Sequence, residues 1–358
     1  MPDRVLVAMS GGVDSSVAAL LLVREGLRVT GVTMDIWCPT GELGGVRPQG
    51  CCGVESARDA CEVCARLGVE HFVVSFRELF ETAVIAPFAQ AYAAGRTPNP
   101  CLDCNRAVKW GALLRWTGAL GADGIATGHY ARVVQTADDP VLARGADRAK
   151  DQSYALYMLS SDELSRTRFP VGDLAKSETR QLAKEAELPI ADREESQEVC
   201  FLPDDDYRVL VRERTPEALQ PGPILDLEGN VLGEHEGFAG YTIGQRKGLG
   251  LAGGPWYVVA IEPERHAVVV GPEEATHVSA IRVADVRLTA ACRSNPFEAT
   301  VMTRYRGPEH PGRVTVADDA TAVVRLREPA RAPAPGQAAV FYAGELVLGG
   351  GVIAGPLP

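Results

Sequence analysis

Ser10-Gly11-Gly12-Val13-Asp14-Ser15-Ser16 stands between the apolar run Arg4-Val5-Leu6-Val7-Ala8-Met9 and an alanine- and leucine-rich run from Val17 to Val23. Val5, Leu6 and Val7 read as a short strand of the kind buried in a parallel sheet, and the two glycines permit a tight turn and close approach of a ligand. A helix then begins, with Asp14, Ser15 and Ser16 in its first turn. Its orphan backbone N–H groups and the positive end of its dipole make that turn a seat for phosphate or pyrophosphate. The stretch has neither the Gly-Lys-Ser/Thr ending of a Walker loop nor the Gly-x-Gly-x-x-Gly of a dinucleotide fold. The alternative is an ordinary Gly-Gly turn capped by Asp14 and Ser15.

The chain has 358 residues, 46% of them hydrophobic, enough for two or three domains with a substantial core. No apolar run reaches the ~18 to 20 residues of a membrane span, and the start lacks a signal-peptide pattern, so a cytoplasmic protein without a membrane partner is expected. In that compartment the nine cysteines are expected to be mostly reduced. Their odd number prevents complete pairing within the chain and points to redox or metal chemistry for some of them. A net charge of −11 argues against a surface coated for non-specific nucleic-acid binding but leaves room for a local basic track. Arginine outnumbers lysine 31 to 5, a bias spread over the whole chain and given no functional weight here.

After Gly26, Arg28 to Asp35 reads as a second strand whose carboxyl end lies beside the first loop, placing Met34 either against an adenine ring or simply in the core. From Pro39 to Gly50 the composition is that of a loop, and Cys51-Cys52 follows it. Glu55 to Leu67 has helical periodicity and contains Cys61-x-x-Cys64, which puts both sulfurs on one helix face. A strand from Val69 to Ser75 and a helix from Glu78 to about Ala94 continue an alternation that predicts a doubly wound α/β domain with a parallel sheet.

Next comes Gly95-Arg96-Thr97-Pro98-Asn99-Pro100-Cys101-Leu102-Asp103-Cys104-Asn105-Arg106. Its two prolines predict a stiff loop feeding a helix from about Asn105. Cys104 then sits just before that helix, where a thiol's pKa falls below its usual ~8.5. Asp123 to Arg132 reads as a strand entering a loop that carries His129, a core histidine by default. The basic segment Arg144 to Lys150 reads as an exposed loop or a polyanion contact, and Lys150-Asp151-Gln152-Ser153-Tyr154 opens a helical stretch. Lys176 to Glu187 is an amphipathic helix stopped by Pro189. Glu194-Glu195-Ser196-Gln197-Glu198-Val199-Cys200-Phe201-Leu202 is an acidic run ending in one cysteine. Beyond Leu202 helical patterns fade. Strands are expected at Tyr257 to Ile261, Ala267 to Val270, Ile281 to Leu288, Thr300 to Tyr305, Val314 to Ala317, Ala322 to Leu326 and Ala338 to Tyr342.

The Ser10 to Ser16 stretch resembles the pyrophosphate loop of the ATP pyrophosphatases, which cleave ATP between its α and β phosphates and adenylate an oxygen of their substrate. With the cysteine loop, Thr127-Gly128-His129-Tyr130, Lys150 to Tyr154, Ser196 to Phe201 and Thr242-Ile243-Gly244-Gln245-Arg246-Lys247-Gly248, the order and spacing resemble the tRNA-specific 2-thiouridylase family over nearly the whole chain. The resemblance implies a catalytic domain over residues 1–206, a small central domain over 207–278 and a C-terminal β-barrel that contacts tRNA over 279–358. It implies thiolation of the wobble uridine (U34) in the anticodon loop, after adenylation of the uracil 2-oxygen by ATP with Mg2+. Cys200 matches the family's persulfide-bearing residue and Cys104 its partner nucleophile, so that transfer leaves a Cys104–Cys200 disulfide. ATP falls to Ala8, Met9, Ser10, Gly11, Gly12, Val13, Asp14, Ser15, Met34 and Gly128. The target base falls to Asn99, Pro100 and Cys101, and tRNA to His129, Lys150, Asp151, Gln152, Arg304, Tyr305 and Gln337. A sulfur-donor protein, such as a cysteine desulfurase or a relay, is the further partner implied.

One departure stands out. Many members carry aspartate where this chain has Cys101. Three cysteines, Cys101, Cys104 and Cys200, offer an alternative in which a [4Fe–4S] cluster with one open iron delivers sulfide, or in which zinc is bound. The competing classes are another pyrophosphate-loop ligase, which needs no cysteine pair, and a non-catalytic RNA-binding redox sensor.

Overall fold

The computed structural model describes residues 3–36, 54–137, 139–194, 199–202 and 206–357. Cys51, Cys52, the loop at 39–50 and Ser196-Gln197-Glu198 lie outside the described residues. The first domain begins with β1 (Arg4–Ala8), α1 (Val13–Arg24), β2 (Arg28–Asp35), α2 (Val54–Leu67) and β3 (Glu70–Ser75). Helical runs α3 (77–93) and α4 (100–116) follow, each containing a wide π-type stretch, Glu81–Ile85 and Cys104–Leu113 respectively. The domain continues through β4 (Gly124–Ala126), a hairpin of β5 (Ala131–Gln135) and β6 (Pro140–Arg144), α5 (Ser161–Ser165), β7 (Thr167–Arg168) and α6 (Lys176–Glu185).

Five of these strands form a parallel sheet ordered β3-β2-β1-β4-β7. Successive β1 side chains point to opposite faces. Leu6 and Ala8 enter a core with Phe80 of α3 and Trp110 of α4. Val5, Val7 and Met9 enter another with Val17 and Ala18 of α1. This is why the strand reads as a continuous apolar run. From β1 the chain builds outward to β2 and β3, then crosses to β4 on the other side, so the topological switch lies between β1 and β4. In open α/β sheets that crevice, at the carboxyl ends of the strands, is where ligands bind.

The second region holds α7 (Tyr207–Arg214) and a four-stranded sheet of β8 (Gly222–Leu225), β9 (Val231–His235), β10 (Tyr257–Glu262) and β11 (Ala267–Gly271), ordered β10-β11-β8-β9. Tyr207 stacks on Tyr92 of α3, with ring centroids 4.3 Å apart. The last region comprises β12 (His277–Leu288), β13 (Phe297–Met302), β14 (Glu309–Val316), β15 (Ala322–Arg331), β16 (Ala338–Ala343) and β17 (Leu346–Pro356). β12 pairs with both β15 and β17, which closes a six-stranded barrel. The β5–β6 hairpin leaves the first domain and joins that barrel's sheet through Ala143 opposite Leu346 of β17. No helix among the described residues is long and apolar enough to cross a membrane.

Several local expectations change. The cysteine helix begins at Pro100, with Asn99 as its N-cap accepting from the Cys101 amide at 3.2 Å. Proline is favoured at the first helical position, where its missing N–H has no partner to lose. Cys104 is therefore one turn inside the helix, not before it. Arg144 is not part of an exposed loop: it ends β6 with its side chain only 4% exposed, ion-paired to Asp151 and Glu309, while Ala146, Arg148 and Ala149 beyond it are exposed. Cys61 is exposed while Cys64 is buried, so the two sulfurs of that pair straddle the helix's buried boundary.

Candidate active site

The turn after β1 is held by its own hydroxyls. Ser15 Oγ donates to the Gly12 carbonyl at 3.1 Å and accepts from the Ser10 amide at 3.2 Å, while Ser16 Oγ donates to the same Gly12 carbonyl at 2.8 Å. Gly12 is the N-cap of α1 and supplies no side chain to cap it, so the first-turn N–H groups face the crevice as an anion seat. Gly11 has φ +70°, and a Cβ there would come within 2.5 Å of the Ser56 carbonyl oxygen. Only glycine fits that turn.

Across the switch point, Gly128 after β4 lies directly against the loop, where a Cβ would be 2.6 Å from Ser15 N. Ala8 and Met9 are buried at the end of β1, and Met34 lies near the end of the neighbouring β2, half-buried against the core. The residues assigned to ATP therefore converge on one crevice. Asp14 would oppose an anion there, but Lys176 Nζ donates to its Oδ1 at 2.6 Å and the Tyr130 hydroxyl donates to the same oxygen at 2.9 Å. Arg193 donates to the Gly11 carbonyl at 3.1 Å and pairs with Asp59.

The loop before α4 is clamped by both other regions. The Thr97 amide donates to the Pro335 carbonyl at 2.8 Å, and Gln337 Nε2 donates to the Thr97 carbonyl at 2.9 Å. On the other side Thr97 Oγ1 lies 3.5 Å from Thr242 Oγ1, and Gly95 fits against Ile261 and Pro263. Cys101 is exposed at the start of α4, and Cys104 and Cys200 are half-buried. Cys104 and Cys200 pack against the same core, where Phe201 makes edge contacts with Phe80 and Phe88 at 5.5 Å.

The residues assigned to tRNA divide in two. Arg304 is exposed in the turn after β13, and Tyr305 beside it is 36% exposed, so that about two thirds of it is covered. Burial pushes the Tyr305 hydroxyl pKa up, Arg306 opposes this, and Asp151 and Cys101 add to it. The barrel's tyrosine thus lies within electrostatic reach of the cysteine helix. By contrast, Asp151 accepts from the amides of Gly145 and Ser153, both at 3.0 Å. Gln152 exchanges two hydrogen bonds with the Tyr130 backbone, at 2.9 and 2.8 Å. Lys150 is half-buried, with its amide on the Asp147 carbonyl at 3.0 Å. His129 is enclosed by Trp110 and Phe169, accepts from or donates to Thr127 Oγ1 at 2.7 Å, and meets Lys109 Nζ at 3.4 Å. Burial first, and Lys109 second, hold its pKa well below the usual histidine value.

Sequence reasoning missed Lys109, Lys176, Tyr130 and Arg193. One signal was available: in a chain with 31 arginines and five lysines, Lys109 and Lys176 both reach this crevice, at His129 and at Asp14. Among the described residues no three cysteine, histidine or carboxylate side chains converge as metal ligands.

Family models described as tRNA methyl transferase HUP domain, tRNA methyl transferase PRC-barrel domain and aminomethyltransferase beta-barrel domain match residues 3–204, 210–272 and 278–353. The tRNA-specific 2-thiouridylase MnmA of Chloroflexus aurantiacus is 50% identical over 98% of each chain. That of Carboxydothermus hydrogenoformans is 48% identical over 98% of this chain and 97% of its own. A 4-thiouridine synthetase solved as an RNA complex with bound ATP covers 60% of this chain and 51% of its own at 16% identity, with a TM-score of 0.37. NMN synthetase from Francisella tularensis covers 59% and 76% at 18% identity, with a TM-score of 0.32. Identity near one half, sustained from the pyrophosphate loop through the barrel, shows that the chain belongs to the tRNA-specific 2-thiouridylase family, enzymes that form 2-thiouridine in tRNA.

Proposed function

We propose that the chain replaces the 2-oxygen of the wobble uridine with sulfur in two stages, one at the crevice and one at the cysteines. The uracil 2-oxygen is a poor leaving group, so it is first made a phosphate ester. It attacks the α-phosphorus of ATP, the bond to the β-phosphate oxygen breaks, pyrophosphate leaves with that electron pair, and the N3 proton of the uracil passes to solvent. The α1 N-terminus receives the pyrophosphate. A magnesium bound with the triphosphate would be held by the Asp14 carboxylate and would supply neutralisation of phosphate charge.

In the second stage a Cys200 persulfide, charged by a donor protein, is attacked by the Cys104 thiolate. The terminal sulfur leaves as hydrosulfide, and a Cys104–Cys200 disulfide remains for a reductant to reset. Hydrosulfide adds at carbon 2 and AMP departs. Cys101 and Asn99, at the exposed start of α4, are the residues that meet the base, presented in a single-stranded loop whose edges a duplex would hide. Arg304 and Tyr305 supply barrel contacts to the RNA. The observation that carries this reading is the clamped Gly95 to Pro100 loop, which ties the cysteine helix to the barrel at Thr97 while α4 reaches His129 beside the nucleotide crevice. The test is tRNA-dependent release of pyrophosphate from ATP, followed by thionucleoside analysis. Release with wild-type tRNA and loss in Asp14→Ala is expected. Release that does not depend on tRNA would point to another pyrophosphate-loop ligase.

A further inference from the structure

The wide helix that carries Cys104 also carries Lys109. In a π-type helix the backbone bond runs from residue i to i+5, so residues five apart lie about one turn from each other. Cys104 and Lys109 stand in that relation within Cys104–Leu113. The helix is locked in rotation on its buried side: Asn105 Nδ2 donates to the Ala155 carbonyl at 2.8 Å, and Trp110 Nε1 donates to Thr167 Oγ1 at 2.9 Å. Lys109 lies between the buried residues Val108 and Trp110, half-buried itself.

Its ammonium meets His129 Nε2 at 3.4 Å. Lysine only donates, so Nε2 accepts, and Nδ1 carries the ring proton toward Thr127 Oγ1, 2.7 Å away. The ring is thereby fixed as one neutral tautomer. His129 is also joined to Gly128, whose backbone rests on Asp14 and Ser15. The contacts run from Lys109 through His129 and Gly128 to the nucleotide loop.

We propose that Lys109 is a further catalytic residue of the adenylation step: its ammonium, held by neutral His129, contacts the α-phosphate of ATP and takes up charge as the uracil 2-oxygen attacks. His129 is then a positioning residue for Lys109 in that step. The inference rests on the pyrophosphate-loop reading given above. The bonds made and broken are those of the first stage, and Lys109 keeps its proton throughout.

The test compares Lys109→Met, Lys109→Arg, His129→Leu and His129→Gln in tRNA-dependent pyrophosphate release, with the tRNA KM measured separately. Removing one preorganised charge-stabilising donor typically costs about 10²- to 10³-fold in kcat. Lys109→Met and His129→Leu should fall by that order at saturating tRNA, with the tRNA KM near wild type. Lys109→Arg, which keeps the charge, and His129→Gln, which keeps an acceptor near the Nε2 position, should recover much of it. A raised tRNA KM with unchanged kcat would make Lys109 an RNA backbone contact and overturn the proposal. Wild-type rates in Lys109→Met would overturn it too. No tRNA-dependent release from the wild-type protein would overturn the adenylation reading itself, which separates the two failures.

Discussion

Gly128→Ala tests the architecture of the crevice with a single methyl group. At Gly128 an added Cβ would lie 2.6 Å from both Asp14 C and Ser15 N, and 2.9 Å from the Asp14 carbonyl oxygen. Ordinary contact begins at 3.4 Å, so from 2.6 Å the β4 and β1 loops must part by about 0.8 Å. Both sides of the clash are backbone, and no side-chain rotation relieves it. Overpacking of this kind costs roughly 1–3 kcal/mol, which for a domain of this size lowers Tm by roughly 2–12 °C. The functional effect should be larger, because a misplacement near 1 Å at reacting groups can cost ~10²-fold in rate. We expect Gly128→Ala to fold, to bind tRNA as the wild type does, and to lose ~10²-fold in tRNA-dependent pyrophosphate release. Steady-state release across a range of ATP concentrations, with filter binding of tRNA as control, measures it. Wild-type release would refute the claim that the β1 and β4 loops together form the nucleotide seat. Loss of tRNA binding alone would refute it as well.

Three further outcomes follow from the same geometry. Cys104→Ser and Cys200→Ser should each abolish 2-thiouridine formation while pyrophosphate release persists; thiolated tRNA from either variant, detected by mass spectrometry of nucleosides, would remove that cysteine from the mechanism. His129 is held neutral, with its pKa well below the unfolded value of 6.5. Its contribution is therefore complete above about pH 6.5 and is lost as pH falls toward the folded value. Thermal melts should show His129→Gln losing less Tm than the wild type between neutral and mildly acidic pH, and parallel curves would contradict the assignment. Gln337→Ala removes the donor to the Thr97 carbonyl, a bond worth roughly 0.5–1.5 kcal/mol; a raised tRNA KM with intact ATP binding is the expected result, and unchanged kinetics would show that the loop holds without it.

The strand-turn-helix at Ser10 and the α/β alternation were legible because both faces of β1 are buried and its helix follows at once. The barrel was half legible. β17 escaped because Gly349-Gly350-Gly351 looks like a turn, yet it is a central strand: a Cβ at Gly351 would come within 2.5 Å of the Ala284 carbonyl, and one at Gly350 within 2.7 Å of that of Ala339. Glycine there permits close strand approach. Pro100 was read as a helix breaker, but with Asn99 before it proline starts the helix instead. The β5–β6 hairpin and the Arg144 contacts with Asp151 and Glu309 depend on partners well over a hundred residues away in part, which no local pattern encodes. The same is true of Gln337, whose amide serves a loop 240 residues earlier. Motifs named the candidate groups; the lysines and tyrosine packed against them, Lys109, Lys176 and Tyr130, came only from the fold.

The account turns on a persulfide carried by Cys200, whose terminal sulfur Cys104 releases. The direct measurement is intact mass of the Cys200 peptide from Cys104→Ser protein, purified without oxygen and assayed for iron, after incubation with a persulfide donor and before tRNA is added. A gain of one sulfur atom on Cys200, removed by reductant, in iron-free protein whose wild-type form makes 2-thiouridine, is the predicted result. An unmodified Cys200, with thiolation that tracks bound iron and acid-labile sulfide and fails in Cys101→Ala, would contradict it.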